Sequence, residues 1–204
     1  DPIRGVGKKI VENMEKSLSV PTATSFREVP ARLLEVNRSV INGYLGRTRG
    51  GKVSFTHIIG YAVVRAIADH LPRMNNAYVE GPDGEPRILQ GRPVNLGLAI
   101  DQEKKDGTRS LIVAAIKGAD QMDFKNFIAT YDEIIRKANN NKLTPDDFAG
   151  VTVSLTNPGT IGTERSVPRL MPGQGLIVGV GSLAYPTGFA AADLIYDDNG
   201  AVTG

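Results

Sequence analysis

Two histidines and no cysteine limit the chemistry open to this 204-residue chain. A thiol nucleophile, a thiolate metal site and a disulfide are all excluded, and an imidazole base must be His57, His70 or a group from outside these residues. Both histidines fall on or at the end of one helical stretch. There a buried or surface histidine, or a cation at a helix C-terminus, accounts for them more simply than catalysis. No cluster with metal-ligand spacing occurs. The adjacent pairs Asp146-Asp147 and Asp197-Asp198 sit in turn-like sequence, where carboxylates organise local backbone bonds.

Two glycine-rich runs resemble nucleotide loops and fail on context. Gly46-Arg-Thr-Arg-Gly-Gly-Lys52-Val53 lacks the magnesium-binding hydroxyl and follows a helix instead of a strand, so it reads as a basic connector. Its Arg47, Arg49 and Lys52 could still meet an anion. Gly173, Gly175, Gly179 and Gly181 precede or lie within a strand, where close backbone approach explains them better than a dinucleotide turn.

The elements that must position any site follow from periodicity. Helical spacing covers Val6 to Leu18, a stretch from Val29-Pro30 to Leu45, Phe55 to Leu71 behind an N-cap at Ser54, and Met122 to Ala138. Strands are expected at Ala23 to Val29, Ala77 to Glu80, Arg87 to Leu89, Val94 to Asp101, Ser110 to Ile116, Val151 to Asn157, Leu176 to Ser182 and Phe189 to Tyr196. Asn199-Gly200 reads as a hairpin turn whose second strand is not in the sequence. Strands that follow one another without helices argue against a purely parallel sheet. The expectation is an α/β two-layer sandwich, a mixed sheet with helices mainly on one face.

With 24 Lys+Arg against 22 Asp+Glu, the net charge of +2 provides no strong field for nucleic acid or an anionic membrane. No apolar run of membrane-spanning length and no secretory leader pattern is present, so a cytoplasmic protein is expected.

One constellation is more specific. Asn141-Lys-Leu-Thr-Pro-Asp-Asp-Phe148-Ala-Gly-Val-Thr-Val-Ser-Leu-Thr156-Asn157-Pro158-Gly159-Thr-Ile-Gly162, with Pro168-Arg-Leu-Met-Pro172-Gly-Gln-Gly-Leu-Ile-Val-Gly179-Val-Gly181 after it, resembles the catalytic domain of dihydrolipoyl acyltransferases. That domain has a chloramphenicol acetyltransferase-like fold. The stretch from Ile3-Arg4 to Phe26 is similar to the family's opening helix and first strand, so the resemblance spans nearly the whole chain. Thr22, Asn13 and Ala114 depart from the lipoyl enzymes, which usually carry histidine, arginine and proline there. These departures favour the acyltransferase domain of bacterial multifunctional 2-oxoglutarate decarboxylase/dehydrogenases.

Acyl transfer between thiols needs a base, because a thiol of pKa about 8.5 is only a few per cent thiolate at pH 7. It also needs a donor for the oxyanion of the tetrahedral intermediate. The resemblance assigns the donor role to Thr156; its position alone would mark it as an ordinary β-branched strand residue. The family's base is a histidine in a His-x-x-x-Asp-Gly motif, which these 204 residues lack. Residues 1–204 therefore read as an acyltransferase-like domain, an incomplete piece of a longer chain whose catalytic histidine lies beyond Gly204. Such a piece is expected to be nearly inactive alone.

The resemblance implies succinyl transfer from a lipoyl-bearing carrier protein to coenzyme A. It also implies homo-oligomers and a decarboxylase domain in the same chain, with thiamine diphosphate and magnesium there and not here. No Gly-Asp-Gly thiamine motif occurs in these residues. The long Gly/Pro loop from Asn157 to Gly175 is a candidate channel wall. Two other functions compete: a non-catalytic assembly and acyl-coenzyme A-sensing module, and a stand-alone chloramphenicol-type acetyltransferase, the latter disfavoured by the missing histidine motif.

Overall fold

The structure is a computed structural model and describes residues 2–48, 50–103, 107 and 109–185. Four helices are present among them: α1 (Gly5–Leu18), α2 (Arg32–Thr48), α3 (Phe55–Asp69) and α4 (Phe124–Asn139). A two-stranded hairpin, β1 (Ala77–Glu80) and β2 (Pro86–Leu89), stands apart from the main sheet. The main sheet contains β3 (Leu96–Glu103), β4 (Arg109–Ile116), β5 (Val153–Thr156) and β6 (Leu176–Gly179), in the order β4-β3-β5-β6. β3 is antiparallel to β4 and parallel to β5, and β6 is parallel to β5. The sheet is mixed, as expected.

Register determines which residues share a face. Leu96, Leu98 and Ile100 lie opposite Ile116, Ala114 and Ile112, and Leu96 and Leu98 also pair with Val153 and Leu155. These positions form the helix-facing side of the sheet. With Val64 and Ile67 of α3 and Phe127, Ile134 and Ala138 of α4, they make one core cluster. Phe127 and Leu96 are fully buried at its centre. Gly60 of α3 lets helix and sheet meet there, since a Cβ at this position would stand 3.3 Å from both Leu155 and Phe127.

Because side chains alternate along a strand, the intervening residues Gly97, Ala99, Asp101, Leu111, Val113, Ser154 and Thr156 belong to the opposite face. No helix takes part in the core on that side.

Local chemistry explains the element ends. Ser54 caps α3 by accepting from the His57 N–H at 3.2 Å, while His57 Nδ1 accepts from the Ser54 N–H at 3.1 Å, a reciprocal capping box. Asp123 caps α4 through the Asn126 N–H at 2.7 Å. Asp147 closes the turn Pro145–Phe148 on the backbone and hydroxyl of Thr144, and Lys137 also bonds it. The Thr144 donors, then Lys137, hold the Asp147 carboxyl down to about 2. This is the local organising role read from the Asp146-Asp147 pair.

Several expectations change. Residues 23–29 form no strand, because the segment between α1 and α2 has no ladder partner among the described residues. α2 begins at Arg32 rather than at Val29-Pro30, ends at Thr48 within the expected Gly46 to Gly51 closure, and buries none of its residues. Leu33, Val36, Val40 and Tyr44 are exposed, so its apolar spacing marks a helix but not a core face. β6 ends at Gly179 rather than Ser182. The strand expected at Phe189 to Tyr196 and the turn at Asn199-Gly200 lie outside the described residues.

Candidate active site

Thr156 is the last residue of β5, half-buried, on the sheet face turned away from the helices. Its backbone is fixed on the β6 side: Thr156 pairs with Gly179, and its carbonyl accepts from the Val180 N–H at 2.9 Å. On the β3 side the ladder stops one residue earlier, at Leu98 and Leu155. Among the described residues no hydrogen bond engages the Thr156 hydroxyl, so its proton is available to a ligand.

That hydroxyl lines a cleft of about 460 Å³. The floor is Ala99, Asp101 and Leu111 of the open face, and one wall is the turn Asn157, Pro158, Thr160 and Ile161. The first turn of the loop after Thr156 thus borders this cleft. Arg109 and Ser110 complete the lining, with Arg109 Nε donating to Asp101 Oδ1 at 3.2 Å across the β3–β4 pair. The turn is sharply constrained. The Gly159 N–H donates to the Val180 carbonyl at 3.0 Å, and a Cβ on Gly159 would collide with the backbone of Gly181 and Ser182. Gly181 is equally confined by the Glu164 backbone, and Gly175 by the carbonyls of Met74 and Asn76. Close backbone approach, expected for the glycines of this region, is found at Gly175 and Gly181, whereas Gly173 has open space around it at a φ of 83° and Gly179 faces only the side chains of Ser166 and Pro168.

Asn157 turns toward the helix layer. Its Nδ2 donates to Thr56 Oγ1 at 2.9 Å, joining the end of β5 to the first turn of α3 across 101 residues of sequence. Thr56 also interacts with the Tyr131 phenol of α4, whose pKa burial raises and Thr56 partly restores. The His57 ring meets Tyr131 edge-on, with centroids 4.1 Å apart. None of this network was visible in the sequence. Only Ser54 preceding His57 by three residues offered a signal, for a cap and not for a site.

His57 itself is 4% exposed. Its Nδ1 is spent on the cap, which places the proton on Nε2, and Nε2 lies 3.2 Å from Asp132 Oδ1 without the alignment of a hydrogen bond. Burial lowers its pKa below 6.5, with Asp132 pulling in the opposite direction. His57 is therefore a neutral, structural histidine. His70 caps the C-terminus of α3.

A pH dependence of stability follows. The unfolded chain takes up a proton at His57 before the folded chain does, so this contribution to stability is present above pH 6.5 and declines as pH falls toward the lower folded value. The urea midpoint is expected to drop between about pH 7.5 and 5.5, and His57→Gln, which keeps a side chain able to complete the cap, is expected to flatten that drop. An unchanged slope in the variant would exclude His57 as its origin.

The model of the family described as 2-oxoacid dehydrogenases acyltransferase (catalytic domain) matches residues 1–194. The chain belongs to this family. It is 56% identical over 191 residues to the 2-oxoglutarate dehydrogenase E1/E2 component of Corynebacterium glutamicum, a match covering 94% of this chain and 16% of that protein. It is 57% identical over 190 residues to the multifunctional 2-oxoglutarate metabolism enzyme of Mycobacterium sp. strain JLS, covering 93% and 15%. The chain thus spans less than one fifth of the length of these relatives. Among solved structures, it matches the probable dihydrolipoamide acetyltransferase of Listeria monocytogenes with a TM-score of 0.79 at 24% identity, over 100% of this chain and 79% of the other. The truncated catalytic core of the 2-oxoacid dehydrogenase multienzyme complex of Thermoplasma acidophilum matches at 0.73 and 27% identity, over 89% and 79%. The mixed sheet with its helix layer is the acyltransferase-core fold expected from the sequence.

Proposed function

We propose that this 2-oxoacid dehydrogenase acyltransferase-family domain moves a succinyl group from a dihydrolipoyl carrier to coenzyme A, as one domain of a longer 2-oxoglutarate-metabolising enzyme. The observation that carries the reading is Thr156, a cleft-lining residue whose backbone is held by the β5–β6 ladder and whose hydroxyl is unengaged. The relatives named for 2-oxoglutarate metabolism support the acyl group, since oxidative decarboxylation of 2-oxoglutarate leaves a succinyl unit.

The coenzyme A thiolate attacks the thioester carbonyl of the carrier, and the carbonyl oxygen becomes an oxyanion. Thr156 donates its hydroxyl proton in a hydrogen bond to that oxygen. Collapse re-forms the carbonyl and expels the lipoyl thiolate, which takes up the proton removed from coenzyme A. Donor placement matters because a preorganised donor in a site shielded from water stabilises the developing charge without reorganising. The proton is carried by a base outside the described network. His57 is buried and committed to its cap, and the His-x-x-x-Asp-Gly motif is absent from these residues. The reading therefore places the base in a further segment of the parent chain.

Thiamine diphosphate and magnesium are assigned to the decarboxylase domain of that parent. The residues here do not suit them: the sequence has no Gly-Asp-Gly run, and the described residues contain no group of three His, Cys, Asp or Glu able to hold a metal. No described helix is long and apolar enough to cross a membrane; the proposal places the enzyme in the cytoplasm. A lipoyl-bearing carrier and a homo-oligomeric core complete the proposal, supported by likeness to the catalytic core of the Thermoplasma acidophilum multienzyme complex.

The competing reading is an assembly and acyl-coenzyme A-sensing module of the same enzyme. Replacing Thr156 by Ala separates the two. Transfer collapses if the domain is catalytic, and transfer is unchanged if it only senses.

A further inference from the structure

The end of β5 poses a geometric problem. Thr156 must hold its hydroxyl steady, yet the strand is paired there on the β6 side only, the β3 ladder having ended at Leu155. The next residue, Asn157, sits at the start of the short turn Pro158–Ile161, a position where an Asn side chain ordinarily caps the turn it precedes. Here it makes no such cap; the Thr160 hydroxyl bonds the Asn157 carbonyl at 3.0 Å instead. The Asn157 amide reaches across to the Thr56 hydroxyl at 2.9 Å.

Thr56 is well placed to hold it. It lies in the first turn of α3, directly before His57, whose reciprocal cap with Ser54 fixes that turn. The neighbouring His57 ring packs against Tyr131 of α4. The bond thus anchors the strand end to the junction of α3 and α4, elements whose other residues are in the core.

We propose that Thr56 is a positioning residue for acyl transfer, acting on the Thr156 hydroxyl through Asn157. The proposal rests on Thr156 being the oxyanion donor. A threonine hydroxyl accepts the Asn157 N–H. Valine has nearly the same shape and cannot.

The test uses the parent enzyme with a succinylated dihydrolipoyl carrier and coenzyme A, comparing Thr56→Val, Thr56→Ser and Asn157→Ala. Misplacing a reacting group by a fraction of an ångström to one ångström costs on the order of 10- to 100-fold in rate. Thr56→Val is expected to lower kcat by about that factor with KM for both substrates within about twofold. Thr56→Ser is expected to restore kcat, and Asn157→Ala to reproduce the valine profile if Thr56→Val fails to fold. In a Thr156→Ala background the further loss from Thr56→Val is expected to disappear, because the group being positioned is gone. Wild-type kcat in Thr56→Val, an equal loss in Thr56→Ser, or a full additional loss in the Thr156→Ala background would each overturn the inference. If Thr156→Ala alone keeps full activity, the oxyanion role itself falls, a separate result read from that single variant.

Discussion

Thr156→Ala is expected to lower the rate of succinyl transfer in the parent enzyme by about 100- to 1,000-fold, the usual cost of removing one oxyanion donor. The substitution deletes a hydroxyl and a methyl from a half-buried strand end whose backbone bonds, Val180 N–H to the Thr156 carbonyl among them, involve no side chain. The fold should survive it. The loss should appear in kcat with little change in KM, because the donor acts on charge that exists only in the transition state. Thr156→Ser retains a donor and is expected to retain much of the rate. Transfer at the native rate in a folded Thr156→Ala enzyme would remove the catalytic role and favour the sensing module.

The second large effect concerns the base. General base catalysis contributes on the order of 100- to 10,000-fold, and the two histidines present are a buried capping residue and a helix C-cap. The 204 residues alone are therefore expected to transfer succinyl groups slower than the parent enzyme by about that factor, even when circular dichroism shows them folded. The parent chain is expected to owe the difference to a histidine outside these residues, and replacing that histidine should bring its rate down to the level of the isolated domain. Equal rates for the isolated domain and the parent would mean that the base lies within these residues, with His57 and His70 its candidates.

Most of the fold was legible in the sequence because its signals were local. Ser54 before the apolar stripe of α3 and the short strand-forming runs of β1, β2, β3 and β4 each follow from neighbouring residues. The failures have physical causes as well. Residues 23–29 carry strand-like composition, but a strand needs a ladder partner, and the described chain provides none. α2 has the spacing of an amphipathic helix while its apolar residues stay largely exposed, so spacing predicted the helix and not its burial.

The site divides in the same way. Thr156 came from a motif of contiguous residues, and the structure places it at a strand end, in a cleft, with its hydroxyl unengaged. The residues that hold it were invisible. The contact between Thr56 and Asn157 joins positions 101 residues apart, and neither threonine in a helix turn nor asparagine before proline signals the other. The sequence also could not show how His57 is held. Its Nδ1 accepts from the Ser54 backbone and its ring is sealed against Tyr131.

The most direct test of the central claim is to mix the parent enzyme with a succinyl-dihydrolipoyl carrier and coenzyme A and follow both thioesters by mass spectrometry. The predicted result is succinyl-coenzyme A appearing as succinyl is lost from the carrier, mole for mole, with the exchange slowed about 100- to 1,000-fold by Thr156→Ala. An enzyme that binds coenzyme A but leaves the carrier thioester intact would contradict it.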